Sequence, residues 1–207
     1  MNAERPQSDA TIRRRRTQRP VHAPNGWEGA PTYLLEAKLA PPRPPTGFVV
    51  RPRVSAMFDA AAARPLTVVS AGPGWGKTLA AAAWAASGPA VGKLAWVSLD
   101  EGDSEPRLFW SYVLTALRRS GVVPPENDLA ELVPGPAVDE EIIRRILYGI
   151  SQLPAPFVLV LDDFHEIDDA DVLSGVAMLL RYPLPQRRLV LITRMDPMLS
   201  LHRLRLS

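Results

Sequence analysis

A glycine-rich segment between two apolar stretches is the feature that most constrains how this chain can fold. It follows the β-branched run 66–70, which predicts a buried strand, and precedes the alanine-rich run 79–87, which predicts a helix. The segment consists of Ala71, Gly72, Pro73, Gly74, Trp75, Gly76, Lys77 and Thr78. Small residues in such a turn let backbone N–H groups converge on phosphate oxygens, and the helix N-terminus adds partial positive charge. The pattern predicts a phosphate-binding loop, with Lys77 reaching the β- and γ-phosphates and Thr78 ligating Mg²⁺.

One departure and one alternative accompany this interpretation. Ala71 stands where the strict pattern has glycine, a substitution that such loops tolerate. The alternative is a glycine-rich turn between a strand and a helix that carries Lys77 and Thr78 by chance. The strand before the loop, the helix after it and an acidic motif further along the chain all favour the phosphate-binding interpretation.

The remaining apolar segments alternate between strand-like and helix-like patterns. Strands are predicted at 94–99, 157–161 and 189–193, and helical spacing of apolar residues occurs over 108–117, 142–150 and 172–180. The strands are apolar throughout instead of alternating with polar residues, which is typical of parallel sheets covered on both faces. The sequence therefore predicts a doubly wound α/β domain with a mostly parallel sheet and helices on both faces.

Composition limits the class of protein further. The chain has 207 residues, of which 46% are hydrophobic, enough for the core of one α/β domain. The absence of cysteine excludes disulfides, cysteine-ligated zinc and thiol catalysis. No apolar run approaches the ~20 residues that span a bilayer, and no apolar run follows the N-terminal arginines. We expect a soluble, cytoplasmic chain without a membrane segment.

Charge and proline divide the chain into three parts. Residues 1–53 hold 10 Lys and Arg against 4 Asp and Glu, whereas residues 54–207 hold 14 against 18. Residues 1–33 are predicted to form a disordered basic arm, in which the arginine run 13–16 serves as a flexible solvated segment or a non-specific polyanion contact. A proline-rich segment follows at 34–53, with a stiff linker or a ligand for a proline-binding module at 41–45. The core is expected at 54–207.

Two aspartates end the third predicted strand. Asp162 and Asp163 follow the apolar run 157–161 directly. Because ligands of doubly wound sheets bind at the carboxyl ends of the strands, both carboxylates should face the phosphate-binding loop. Asp162 is the predicted Mg²⁺-associated acid, and Asp163 is the predicted group that orients or deprotonates an attacking water. The alternative is a pair of acidic turn residues that cap the next helix.

Three further polar positions have weaker signals. Arg194 follows the fourth strand and is a candidate to pair with phosphate charge, or an ordinary arginine in solvent. His165 lies just past the aspartates and is predicted to be a structural or solvent-facing histidine; the alternative is a contact with the phosphate region. In the acidic loop after the second strand, Asp103 or Ser104 is the expected N-cap of the next helix, with Pro106 in its first turn.

Taken in order, several segments resemble the nucleotide-binding module of the large MalT-like regulators of the LuxR type. The most specific are Asp-Asp-Phe-His at 162–165 and Thr-Arg-Met-Asp-Pro at 193–197, beside segments at 39–43, 50–53, 71–78, 95–100 and 109–110. The resemblance covers residues 34–207 and implies a STAND-type P-loop NTPase fold with sheet order 5-1-4-3-2. It implies that the module binds ATP or ADP and that Arg51 lies near the adenine.

The chain departs from this pattern near its end. Only 13 residues follow Arg194, whereas the family continues with a fifth strand, a helical lid, helical repeats and a helix-turn-helix DNA reader. We therefore expect a C-terminally incomplete core without sequence-specific DNA binding. The strand that leads into the loop would then be an exposed edge, which favours self-association.

The sequence favours one function and leaves two open. The first is binding of ATP or ADP with slow Mg²⁺-dependent hydrolysis, as the nucleotide switch of a MalT-like transcriptional regulator. The alternatives are a stand-alone phosphotransferase on the same loop and an interaction module that does not hydrolyse nucleotide. Kinases of this fold need a lid with several arginines late in the chain, where this sequence has only Arg203 and Arg205. ADP release with and without acceptors separates these functions.

Overall fold

The structure is a computed structural model that describes residues 33–88, 92–197 and 199. The predicted basic arm (except Tyr33) and the C-terminal tail lie outside these residues. The strands are β1 (Leu66–Ser70), β2 (Lys93–Ser98), β3 (Phe157–Asp162) and β4 (Arg187–Thr193). The α-helices are α1 (Pro52–Ala62), α2 (Lys77–Ser87), α3 (Pro106–Arg119), α4 (Glu140–Ser151) and α5 (Ala170–Arg181). Short 3₁₀ helices lie at Glu36–Leu39, Glu101–Ser104, Asp128–Ala130 and Phe164–Glu166.

The four strands form one parallel sheet in the order β1-β4-β3-β2. Ser70 pairs with Thr193 in the register of β1 and β4, and Ser98 pairs with Asp162 in that of β2 and β3. The polar residues that end the strands therefore meet at one edge of the sheet, its carboxyl edge. Within the described part of the chain, β1 has a neighbour on one side only; the self-association expected from such an edge stays a prediction.

Side chains along each strand alternate between two packed faces. On one face, Val97, Leu159 and Leu191 belong to a core built with α3, α4 and α5; we call it the α3 face. On the other, Trp96, Val160 and Ile192 pack with α1 and α2; we call it the α2 face. The predicted doubly wound α/β fold with helices on both faces is confirmed.

Helix α1 was not among the sequence predictions. It begins at Pro52, a residue favoured in the first turn because its fixed φ suits a helix and its missing N–H is not needed there. It therefore crosses the expected boundary at residue 53 between the proline-rich segment and the core. Phe58 and Ala62 are buried at i,i+4 spacing, a stripe too narrow to stand out in an alanine-rich sequence.

The proline-rich segment packs on the α3 face before it reaches α1. The backbone N–H of Leu35 donates to the Tyr112 hydroxyl of α3 at 3.0 Å. Lys38 forms an ion pair with the buried carboxylate of Asp103 at 2.7 Å and a second with exposed Asp100 at 2.6 Å. Its ammonium also lies 5.3 Å from the Tyr112 ring centroid. These contacts fix the segment to the domain.

The same ion pair corrects the predicted cap of α3. Asp103 is 1% exposed and bonds to Lys38 and to the backbone N–H of Asp100, within the 3₁₀ turn that precedes the helix. The N-cap is instead Glu105, whose carboxylate accepts from the N–H groups of Arg107 at 2.9 Å and Leu108 at 2.7 Å. Pro106 is the first helical residue, as expected. In the described ranges, no helix combines the length and the apolar character that a membrane span requires.

Candidate functional site

The loop after β1 wraps around its own lysine. Gly74 and Gly76 have φ of 78° and 74°, a left-handed conformation that side chains with a Cβ rarely adopt. The Lys77 ammonium donates to the carbonyl oxygens of Ala71 at 2.7 Å and Gly72 at 3.0 Å. Helix α2 begins at Lys77, so its first N–H groups and the ammonium lie in the same small volume. This arrangement suits a phosphate group.

The loop meets the end of β3 through one hydrogen bond. The Thr78 hydroxyl donates to Asp162 Oδ1 at 2.9 Å, across 84 residues of sequence. Asp162 is 2% exposed, and this burial raises the pKa of its carboxyl to about 6, against the lowering effect of the Thr78 hydrogen bond. The neighbouring Asp163 charge also raises that pKa, and the Lys77 charge lowers it.

These oxygens fit Mg²⁺ in part. A hydroxyl and a carboxylate are hard ligands of the kind that Mg²⁺ prefers. The described ranges hold no cluster of three or more His, Cys, Asp or Glu side chains that could bind a metal. Mg²⁺ at Thr78 and Asp162 would therefore complete its coordination with water and phosphate oxygens, which is its usual mode in nucleotide sites.

The backbone separates the two aspartates. Asp163 has φ 54° and ψ 39°, and among the described residues it is the one non-glycine with positive φ. Its N–H donates to Asp162 Oδ1 at 3.1 Å, and its own side chain is 37% exposed. Neither carboxylate caps the next α-helix, since Asp169 caps α5 by accepting from its first N–H groups. Asp162 is thus buried against Thr78, whereas Asp163 is open to solvent.

His165 lies beside the second aspartate. Its side chain is 7% exposed, with Nδ1 3.9 Å from Asp163 Oδ1 and Nε2 3.1 Å from Glu166 Oε1. Neither contact has hydrogen-bond geometry, and no described residue bonds to either ring nitrogen. The imidazole is therefore buried rather than solvent-facing, between two acidic side chains.

Arg194 lies at the same edge but in solvent. It follows Thr193, whose carbonyl oxygen is 3.4 Å from the N–H of Ala71 at the start of the loop. The Thr193 hydroxyl is buried and donates to the carbonyl of Met195 at 2.7 Å, which forms a turn. This turn brings Arg194 next to the loop, and its side chain is exposed. The alternative of an ordinary solvent arginine stays open.

A cleft of about 520 Å³ joins the loop to the proline-rich segment. Arg51 lies in its wall with Trp75, Gly76 and Lys77, so the structure brings the predicted base-side and phosphate-side residues together. Val50, from the segment 50–53 that carries the resemblance, also lines the cleft. The sequence did not single out the other apolar residues that line it: Phe48, Val49, Val54, Phe58, Val69, Ala80 and Ala83. The four-residue spacing of Val54 and Phe58, typical of one face of a helix, was the one local signal for these lining residues.

Sequence comparison relates the chain to bacterial regulators. It is 29% identical over 180 residues to the HTH-type transcriptional regulator MalT of Cronobacter sakazakii and, equally, to that of Serratia proteamaculans. MalT of Yersinia enterocolitica is 27% identical over the same length. Each alignment covers 83% of this chain and 19% of the relative, so the chain spans about a fifth of the length of the curated relatives it matches. No protein-family model matches it.

Solved structures show the fold alone. Cdc6p from Pyrobaculum aerophilum superposes with a TM-score of 0.51 at 16% identity, over 79% of this chain and 44% of that one. The Walker-type ATPase PABY2304 of Pyrococcus abyssi superposes less closely, with a TM-score of 0.48. The described residues form a P-loop NTPase fold, and the chain is similar in sequence to the MalT transcriptional regulators over 83% of its length.

Proposed function

We propose that this chain binds ATP or ADP with Mg²⁺, hydrolyses ATP slowly, and serves as the nucleotide switch of a MalT-like transcriptional regulator. The observation that carries the proposal is the 2.9 Å hydrogen bond from Thr78 to Asp162. It joins the first turn of the helix after the loop to the buried acid at the end of β3. A chance glycine-rich turn gives no reason for a buried carboxylate at this place.

Each residue of the loop edge has a role in this proposal. Lys77 binds the β- and γ-phosphates as a charge-assisted donor, and Thr78 and Asp162 hold Mg²⁺. The metal, when bound, neutralises phosphate charge that develops during transfer. Asp163, with its exposed carboxylate, accepts a hydrogen bond from the attacking water and orients it in line. Arg194 stabilises phosphate charge from the neighbouring strand end.

The apolar cleft supports an adenine nucleotide. Its lining offers apolar contact surfaces on Phe48 and Val50, and Arg51 provides a planar guanidinium that can stack on a purine. The same cleft ends at Lys77, so a base bound there places its phosphates toward the loop. Both parts of one nucleotide would therefore bind to residues on the α2 face.

Replacing Lys77 tests the binding site. Lys77→Ala removes a charge-assisted contact of about 1.5–3 kcal/mol, so ATP and ADP affinity should fall roughly ten- to hundredfold. Titration calorimetry with Mg²⁺ measures it. Lys93→Ala is the matched control, because Lys93 is exposed at the opposite edge of the sheet. Equal affinity in the parent and in Lys77→Ala would refute the loop assignment.

Replacing Asp163 tests turnover separately from binding. Asp163→Asn keeps the size of the side chain but removes the carboxylate that orients water, so hydrolysis should fall at least tenfold while ATP affinity changes less than threefold. ADP release in single-turnover conditions measures the first effect, and calorimetry the second. Hydrolysis at the parent rate would exclude the role of Asp163. Faster ADP release with an added acceptor would favour a phosphotransferase instead.

A further inference from the structure

Unpartnered polar atoms gather at the edge of the sheet opposite the nucleotide site. Four buried side-chain atoms without a hydrogen-bond partner lie in three consecutive residues: Gln186 Oε1, Arg187 Nε, Arg187 Nη1 and Arg188 Nε. Three of the four are guanidinium donors. Buried polar groups are nearly always paired, so a cluster of this kind needs an explanation. The cluster chiefly lacks a hydrogen-bond acceptor for these donors.

Arg187 is the centre of this cluster. It is 2% exposed, and its one polar side-chain contact among the described residues is a long one of 3.5 Å from Nη2 to the carbonyl of Tyr182. Burial lowers the pKa of Arg187 to about 10, helped by the charge of Arg188, so the guanidinium is still charged at neutral pH. No described Asp or Glu lies within 4.0 Å of it. A buried charge without a counter-charge is costly.

Hydrogen bonds connect the cluster to residues that line an open groove of about 490 Å³. The N–H of Arg187 donates to the carbonyl of Leu184 at 3.1 Å, and Gln186 donates to the carbonyl of Ser151 at 3.3 Å. Leu184 and Ser151 both line the groove, as do Tyr182 and Tyr148. The two tyrosines are 48% and 60% exposed. Exposed aromatic side chains are enriched at protein interfaces.

Basic side chains outnumber acidic ones around the groove. Residues 172–195 contain no Asp or Glu, and neither do residues 142–161. Near the groove these ranges supply Arg181, Arg187, Arg188, Arg144 and Arg145, of which Arg144 is paired with Glu140 at 2.7 Å. Although residues 54–207 carry more acidic than basic side chains, this part of the domain is positive. An anionic partner is therefore attracted to it.

We propose that the groove binds an acidic peptide segment of a protein partner. A Glu or Asp carboxylate of that segment accepts hydrogen bonds from the Arg187 guanidinium, and a neighbouring apolar side chain packs on Tyr148 and Leu184. A carboxylate on a slender side chain reaches a guanidinium that is 2% exposed, whereas a phosphodiester backbone does not. The proposal does not depend on nucleotide binding.

A labelled acidic peptide tests this site. The probe is fluorescein-labelled (Glu-Leu)₄, titrated with the whole chain and followed by anisotropy. We expect saturable binding by the parent and at least tenfold weaker binding by Arg187→Leu, with an equal or higher melting temperature because an unpaired buried charge is removed. Arg64→Leu is the matched control, since Arg64 is an exposed arginine just before β1, also at the amino edge. It should change the affinity less than twofold.

Further probes identify the partner class. Neutral (Gln-Leu)₄ should not bind, and Tyr148→Ala should weaken (Glu-Leu)₄ several-fold without loss of folding, which keeps the test valid if Arg187→Leu does not fold. Binding of a thymidine octanucleotide as tight as that of the peptide, with the same dependence on Arg187, would show a general polyanion site and overturn the proposal. No binding of (Glu-Leu)₄ by the parent at millimolar peptide would also overturn it.

Discussion

The two faces of the sheet are built differently. The α3 face buries three helices, and its core includes the aromatic side chains of Phe109, Trp110 and Tyr112. The α2 face buries two helices, and α2 contributes small residues, Ala81 and Ala82, beside a single Trp84. Because the free energy of burial grows with apolar area, most of the folding stability should come from the α3 face.

The less heavily packed α2 face carries the proposed nucleotide site. The loop leads into α2, and the cleft that contains Arg51 lies between α1, β1 and α2. Asp162 follows Val158 and Val160 at intervals of two residues along β3, so it belongs to the same face of the sheet. Val158 and Val160 pack on the α2 face. The α3 face therefore supplies most of the packing, whereas the α2 face is less heavily packed around the proposed site, as expected of a region that opens to bind and release a ligand. Substitutions on the two faces should therefore differ in what they change.

The largest change in the free energy of unfolding is expected from a substitution on the α3 face. Trp110 is 1% exposed, meets the Phe109 ring edge to face at 5.2 Å, and lies so close to α5 that a Cβ on Gly175 would be 2.7 Å from its ring. Trp110→Ala should lower the free energy of unfolding by about 3–5 kcal/mol, because it removes this contact area and leaves a cavity. Urea unfolding followed by circular dichroism measures the loss.

The same variant tests the division between the faces. In folded Trp110→Ala at low temperature, ATP affinity should stay within threefold of the parent, since the loop and the cleft are on the other face. A tenfold or larger loss of affinity in protein that is shown to be folded would break the comparison.

A smaller change of opposite sign in the free energy of unfolding is expected at the proposed nucleotide site. Asp162 has a folded-state pKa of about 6 against 3.8 in the unfolded chain, so burial disfavours its charged form. The parent therefore loses stability as pH rises from about 4 to 6, and this penalty persists above pH 6. Asp162→Asn cannot ionise, so at pH 7 without Mg²⁺ it should be more stable by about 1–3 kcal/mol. Urea unfolding at several pH values measures this difference.

Two controls sharpen this result. Near pH 4, where the parent carboxyl is mostly protonated, Asp162→Asn and the parent should unfold at nearly the same urea concentration. With Mg²⁺ and ATP the order should reverse, because only the parent gains stability from bound ligand. A variant that is less stable than the parent at pH 7 without Mg²⁺ would show that the carboxylate stabilises the fold.

The features that the sequence predicts well are local ones. The bounds of β1 match the prediction, and the other three strands lie within two residues of it, because each is a short apolar run bounded by polar or turn residues. The loop was equally predictable, since its glycines, Lys77 and Thr78 are contiguous. That Asp162 meets Thr78 follows from parallel strands ending at one edge.

What the sequence does not reveal depends on distant partners. Several acidic residues stand before α3, and which of them caps it is decided by Lys38, whose ammonium binds Asp103 from 65 positions away and leaves Glu105 as the cap. Arg187 has the appearance of a turn residue in sequence, yet it begins β4 and is buried by the packing of the α3 face. Neither outcome has a signal within a few residues.

A substitution on the α2 face should have the smallest effect on the free energy of unfolding, yet it should also change ATP affinity. Trp84 is fully buried, stacks on Phe58 at 5.3 Å and donates its indole N–H to Asp59 at 2.7 Å, which fixes α2 against α1. Trp84→Phe loses that hydrogen bond and part of the contact, so unfolding should become easier by about 1–2 kcal/mol. Because α2 begins at Lys77 and α1 forms the wall of the cleft, ATP affinity should also fall several-fold, as calorimetry can measure. Affinity equal to the parent's in Trp84→Phe, with the stability loss present, would mean that the packing between α1 and α2 does not position the loop.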